Sequence, residues 1–181
     1  RDTANGRFWS SAWQPTLNTP KSYEAIFAQG KAEFRRYDDE IETHTEISVS
    51  PEDDIELRRI RITNRSRKRR ELDVTSYAEI VMAQPAADEI HPAFSNLFVQ
   101  TEIIPDHQAI LSTRRPRSEN DPAYWNFHLM ALQGKDSGEA SYETDRLKFV
   151  GRGNTLSNPQ AMKLSVEGSN ALSGTEGSVL D

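Results

Sequence analysis

Between residues 41 and 49 the chain alternates strictly. Ile41, Thr43, Thr45, Ile47 and Val49 take one side, and Glu42, His44, Glu46 and Ser48 take the other. Successive side chains on a strand point to opposite faces, so a period of two predicts a strand with one buried and one wet face. Residues 72–82 obey the same rule, with Leu72, Val74, Ser76, Ala78, Ile80 and Met82 set against polar or mixed neighbours. In residues 125–131, Trp125, Phe127, Leu129 and Ala131 oppose Asn126, His128 and Met130, which reads Trp125 as a core residue. These three stretches are expected to be inner strands. Further β-like runs cover residues 7–13, 23–28, 32–37, 55–63, 97–104, 109–115, 142–150 and 162–166. Ile55 and Leu57 share one parity and Ile60 and Ile62 the other, which predicts a bulge near Arg58 and Arg59.

Turn formers separate the runs: Gln29-Gly30, Asp38-Asp39, SPEDD, NRSRKRR, GKDSGE and GRGNTLSNP. Short strands punctuated in this way point to an antiparallel β-sandwich or barrel. No ten-residue window has the 3.6-residue period of an amphipathic helix, and no internal repeat is visible. The expectation is therefore all-β. At 181 residues, one sandwich domain over residues 1–181 is the default.

Composition narrows the function classes. No run approaches the roughly 18 apolar residues needed to span a bilayer. There is no cysteine, which removes disulfides and thiolate chemistry. A net charge of -6 argues against nucleic acid as the main partner. The N-terminal RDTANGRFWSS has neither a charged leader nor an apolar core for a signal peptide, and both ends read as cut from a longer polypeptide.

Each candidate for chemistry also has a simpler structural role. His44, His91, His107 and His128 stand far apart, without the spacing of a metal pair. His44 and His128 fall on polar sides of strands, and His91 before Pro92 reads as a turn cap. No G-x-S-x-G elbow or phosphate loop occurs, and Gly151-Arg152-Gly153-Asn154 reads as a glycine turn. Asp38, Asp39, Glu40, Glu52, Asp53 and Asp54 sit in turns, where solvated carboxylates are ordinary, rather than converging as a glycosidase pair. Arg65, Arg67, Lys68, Arg69 and Arg70 form a basic run without interleaved aromatics, read as a solvated hairpin tip. Asn64-Arg65-Ser66 is formally a glycosylation sequon, relevant only in a secretory compartment. Trp9, Trp13 and Trp125, with nearby arginines, are the side-chain types that sugars use.

Longer strings carry a resemblance. ASYETDRLKFVGRGNTLSNPQAM (residues 140–162) resembles the "ETDR, FxGRG, NP" segment of glycosyltransferase family 36, now grouped with the phosphorylases of glycoside hydrolase family 94. FWSSAWQPT (8–16), SPEDDIELRRIRITNRS (50–66), ELDVTSYAEIVMAQPAAD (71–88), HPAFSNLFVQTE (91–102) and TRRPRS (113–118) agree with its cyclic β-1,2-glucan synthase branch. The resemblance implies a galactose-mutarotase-like supersandwich, which in the family precedes a linker and an α/α barrel. That barrel holds the general-acid aspartate and most of the phosphate site. The final LSGTEGSVLD resembles a point where family sequences continue into further strands, so the sandwich here is expected to be incomplete.

For function, the resemblance implies a noncatalytic carbohydrate-binding or substrate-shaping domain, inactive alone, in a parent that makes or phosphorolyses β-glucan. The alternatives are an independent lectin-like module and a structural dimerisation sandwich. No family catalytic residue can be carried onto this chain. The polar members of matched loops, Arg114, Arg117, Arg152 and Asn154, are the expected carbohydrate contacts. No cofactor or metal is implied. The expected partners are a β-glucan oligosaccharide, a downstream α/α-barrel catalytic domain and a second copy in a homodimer, with no nucleic acid and no membrane insertion. A cytoplasmic location is implied, as for the cytoplasmic part of an inner-membrane synthase.

Overall fold

The computed structural model describes residues 1–116, 118–119, 121–134, 140–163 and 177–178. The backbone falls into two compact units, Arg1–Val74 with Leu156–Asn158, and Thr75–Thr155 with Pro159–Asp181.

Two tight turns set the first unit. Strand β1 (Ser22–Ala28) runs through Gln29-Gly30 into β2 (Lys31–Asp38), and Gly30 adopts the left-handed φ of 74°. Strand β2 reverses through Asp39-Glu40 into β3 (Ile41–Val49), with φ of 45° and 65° at the two turn residues. Two left-handed residues give the turn type whose twist matches that of the flanking strands. A longer link comes next, in which Ser50 Oγ accepts the Asp53 amide at 3.1 Å, and leads to β4 (Glu56–Asn64). The result is an antiparallel meander in the order β1-β2-β3-β4.

One face of this sheet carries Tyr23, Phe34, Arg36, Ile41, Thr43, Thr45, Ile60 and Ile62, as cross-strand pairing requires. Ile41, Thr43 and Thr45 are buried, in agreement with the alternation. The opposite face carries Lys31, Glu33, Arg35, His44, Glu46, Arg59 and Arg61. Pairing between β3 and β4 is one-to-one from Val49↔Glu56 to Ile41↔Asn64, so the expected bulge is absent. The parity change is absorbed by leaving Leu57 exposed on the charged face.

Arg36 is 1% exposed and lies in phase with Phe34. Its guanidinium meets both Asp38 carboxylate oxygens at 2.6 and 3.0 Å, and donates to Ala12 O at 3.0 Å and Asn18 O at 2.7 Å. Residues 7–13, expected as a strand, are therefore an irregular segment. Side chains take their backbone groups: Ser10 N donates to Thr16 Oγ1 at 3.0 Å, and Asn18 Nδ2 donates to Phe8 O at 2.8 Å.

The second unit holds β5 (Val99–Ile104), β6 (Ala109–Arg114), β7 (Trp125–Leu129) and the two-residue β8 (Gly177–Ser178), antiparallel in the order β7-β6-β5-β8. A 3-10 turn at Pro105–His107 joins β5 to β6. The short helices α1 (Pro85–Ile90) and α2 (Pro92–Asn96) each open on proline, whose fixed φ suits the first helical turn. His91 joins them, and it caps α1 through its backbone N–H to Ala87 O rather than through its ring.

Two strand expectations fail in this part of the chain. Of residues 72–82, only Leu72 makes a bridge, to Asp2, and Met82 at φ 42° ends the extended run. Within residues 142–150, Asp145 Oδ1 accepts the amides of Leu147 at 2.8 Å and Lys148 at 3.2 Å. That cap starts helix α3 (Arg146–Val150), which Gly151 stops at φ 84°. Of the run expected over 162–166, Met162 closes a 3-10 turn that begins at Gln160, and 164–166 lie outside the described residues. Strand β7 forms as expected but at the sheet edge, so Trp125, Phe127 and Leu129 are 64%, 62% and 53% exposed rather than core.

Arg36→Ala is expected to cost about 3–5 kcal/mol, because it strands Asp38 and two loop carbonyls. Thr45→Val is expected to stabilise by about 1 kcal/mol, since the buried Thr45 hydroxyl has no hydrogen-bond partner among the described residues. Urea midpoints check both, and an unchanged midpoint for Arg36→Ala would remove the clamp from the account.

Candidate functional site

The charged face of the first sheet concentrates the titratable groups. Register places Glu33 beside Glu46, with His44 beside Arg35. His44 Nε2 lies 3.0 Å from Glu33 Oε2. The Lys31 ammonium lies 2.5 Å from Glu33 Oε1 and 3.3 Å from Glu46 Oε1. Arg35 flanks Glu33 at 3.4 Å and reaches Glu24 at 3.5 Å, and Arg59 reaches Glu46 at 3.8 Å. The Lys31 and His44 hydrogen bonds hold the Glu33 carboxyl down at about 2. Lys31 is raised in turn by Glu33 and then by Glu46.

Glu33, His44 and Glu46 offer ligand atoms within 4.8 Å of one another, the one such group among the described residues. Lys31 already supplies positive charge between the two carboxylates. The arrangement is thus an ion-paired ladder, without an acid and base left opposed across a cleft. Beside it, an open groove of about 540 Å³ is lined by Ser22, Glu24, Arg35, Tyr37, Glu42 and Arg65 among others. Arg65 Nη2 pairs with Glu42 at 2.7 Å, and Lys21 Nζ stands 5.4 Å from the Tyr37 ring centroid.

The basic run after β4 divides. Arg70 is half-buried and donates to the Asp2 carboxylate and to Asp39 Oδ2 at 3.1 Å, while Arg67, Lys68 and Arg69 are exposed. Burial pushes Asp2 up, but the Ala4 amide and the Arg70 guanidinium outweigh it and leave the carboxyl below its ordinary value. Asn64 of the sequon holds this loop in place, donating to Lys68 O at 2.7 Å and accepting the Ser66 amide at 2.9 Å.

Of the expected sugar contacts, Arg114, Arg152 and Asn154 belong to the second unit. Arg114 ends β6, its guanidinium 5.3 Å from the Phe98 ring centroid, with Arg115 at 5.5 Å and Phe94 edge-on at 5.3 Å. Arg152 and Asn154 share the turn after α3. Arg152 is exposed, whereas Asn154 Oδ1 accepts Lys163 Nζ at 2.6 Å and its backbone N–H donates to Gly151 O at 3.2 Å. The turn requires glycine at 151, because an added Cβ would stand 2.4 Å from Gln160 Oε1 and 2.7 Å from Asn154 Nδ2. Arg117 lies outside the described residues. The contact that fixes Arg114 is thus on a different element from the turn that carries Arg152 and Asn154.

Sequence reasoning missed a further cluster. Tyr77 stacks on Phe149 at 5.0 Å and donates to Glu79 Oε1 at 2.6 Å, which also accepts from Arg146 Nε at 3.0 Å. Burial, then the Glu79 bond, pushes the Tyr77 phenol up, whereas the Tyr77 and Arg146 bonds pull Glu79 down against burial. Tyr77 sits on the side of residues 72–82 opposite the one expected to be buried, so alternation alone pointed away from it.

Because Glu33 is depressed from 4.5 to about 2, its ion pairs contribute stability that is complete above pH 4.5 and lost as pH falls through about 2. Glu33→Gln is therefore expected to lower the melting temperature at pH 7, with a gap that narrows between pH 4.5 and 2. Thermal melts at pH 7, 4 and 2 test this, and a constant gap would refute the linkage.

No helix among the described residues is long and apolar enough to cross a membrane. The whole chain, residues 1–181, matches the model of the glycosyl hydrolase 94 supersandwich domain. It is 35% identical over 181 residues to the cyclic beta-(1,2)-glucan synthase NdvB of Rhizobium meliloti (strain 1021), covering 100% of this chain and 6% of that protein. It is 25% identical over 151 residues to the solabiose phosphorylase of Paenibacillus borealis, covering 83% of this chain and 18% of that protein. The antiparallel sheets and few short helices agree with that match, and the chain belongs to the glycosyl hydrolase 94 family, as its supersandwich domain.

Proposed function

We propose that this chain is a noncatalytic domain that shapes or holds the oligosaccharide for a β-glucan-active synthase or phosphorylase. The observation that carries the reading is the match of the entire chain to the supersandwich domain, with relatives many times its length. The chemistry supports it: Glu33, Glu46 and Glu79, the described carboxylates best placed for acid-base work, are each paired with a cation. A general acid would need a carboxyl kept protonated near neutral pH, and Glu33 and Glu79 are shifted the other way.

In this reading the parent acts on β-linked glucan, β-1,2-linked by analogy with the glucan synthase relative. Its reaction is carried by an α/α-barrel domain elsewhere in the polypeptide, in the cytoplasm, and a homodimer brings a second copy to the assembly. Arg114, Arg117, Arg152 and Asn154 contact the sugar. Arg152, being exposed, is the first to examine. A lectin-like module is the second reading, favoured by the exposed pair Tyr124 and Trp125, at 52% and 64%, whose rings could receive a pyranose face.

The 181-residue chain is expected to give no turnover with β-1,2-glucan and phosphate. Replacing Arg114, Arg117, Arg152 and Asn154 together by Ala in the full-length parent is expected to weaken oligosaccharide binding at least tenfold, about 1.4 kcal/mol. Unchanged affinity would remove these four residues from the sugar site. Glucan titration of the isolated chain, monitored by tryptophan fluorescence, separates the readings: saturable quenching supports the lectin-like module, and silence supports the substrate-shaping domain or a structural dimerisation sandwich.

A further inference from the structure

Strand β4 is an edge of the first sheet, and among the described residues no strand pairs with its outer side. Over residues 59–62 the two rows of side chains along it differ in chemistry, while Arg58, in the row of Ile60 and Ile62, is paired with Glu56. Arg59 and Arg61 lie on the charged face, opposite Glu46 and His44. Ile60 and Ile62 lie on the other face, opposite Thr45 and Thr43, and are 42% and 40% exposed. Arg67, Lys68 and Arg69 stand in the next loop, all exposed. Arg61 and these three cations have no ion-pair partner among the described residues, in a chain whose net charge is -6.

We infer that the outer edge of β4 takes up an extended acidic segment of another polypeptide, in which carboxylates alternate with aliphatic side chains. Such a segment adds a strand through main-chain hydrogen bonds, and its alternate side chains read the two rows. Its carboxylates meet Arg59 and Arg61, and its aliphatics cover Ile60 and Ile62. The loop cations draw the acidic segment in from a distance.

Charge also argues against the other occupants. A second copy pairing antiparallel about Ile60 would set Arg59 directly against Arg61, and opposed like charges destabilise a ladder. Nucleic acid would find no aromatic residue among residues 56–70 on which to stack a base. A bare row of charge would protect an edge from self-association. It would make no use of Ile60 and Ile62, which stand at the margin of the buried face and stay 42% and 40% exposed.

The test uses the 181-residue chain and a capped seven-residue peptide that alternates isoleucine with glutamate. Binding is expected to protect from hydrogen exchange the β4 amides that face away from β3. A peptide of the same composition with its glutamates in one block should bind at least tenfold more weakly, and so should the alternating peptide against Arg59→Glu with Arg61→Glu. A second variant, Arg59→Gln with Arg61→Gln, should show a smaller loss, with circular dichroism reporting an intact sheet for both. Equal affinity for the block and alternating peptides, absence of β4 protection, or tighter binding to anionic vesicles, an oligonucleotide or a second copy of the chain would each overturn the inference.

Discussion

A guanidinium in the wrong place by hydropathy organises the first unit. Arg36 occupies the buried row of β2, where Ala32 and Phe34 precede it, and removing such a charge from water is tolerable only with full hydrogen bonding. Asp38 supplies the countercharge from the same strand, two residues on, and the carbonyls of Ala12 and Asn18 complete the set. The irregular N-terminal segment therefore has a fixed seat without a ladder of its own. Asp2 and Arg70 repeat the device at the neighbouring Asp39, where one arginine gathers two carboxylates.

The opposite face obeys a different balance. Lys31, Arg35 and Arg59 interleave with Glu24, Glu33 and Glu46, and each of the six lies within 3.8 Å of an opposite charge. Each exposed pair contributes little alone, but the shared partners make the row a network. A face so occupied is suited to holding a shape in water rather than to moving protons.

How much of this could be read from residue order depended on what each signal reports. Period two identified β3 and β7, because strand geometry imposes it directly. It misread residues 72–82, where the backbone turns left-handed at Met82 and Tyr77 is held by Phe149 and Glu79. The stretch DRLKFVG carried a helix start in Asp145 and a stop in Gly151, but a helix of five residues is too short to show a 3.6-residue period. For Trp125 the alternation was correct and the inference from it was not, since periodicity reports which residues share a face and not whether anything covers it. Arg36 was legible in retrospect, as an arginine in phase with Phe34. The sugar contacts rested on matched loops alone. The geometry gives Arg114 and Asn154 structural neighbours of their own, and Arg117 falls outside the described residues.

The Asp2–Arg70 contact has a consequence for the order of folding. It joins residues 68 apart in sequence, whereas the hairpins from β1 to β4 close through turns of a few residues. Loop closure over a longer stretch costs more chain entropy before any contact rewards it, and distant contacts slow folding. The meander is therefore the part of the unit able to assemble early, with the N-terminal segment settling onto it last. By the same reasoning that segment is the first to leave when the unit opens, so local unfolding begins at its seat on Arg36 and Arg70 and not within the sheet.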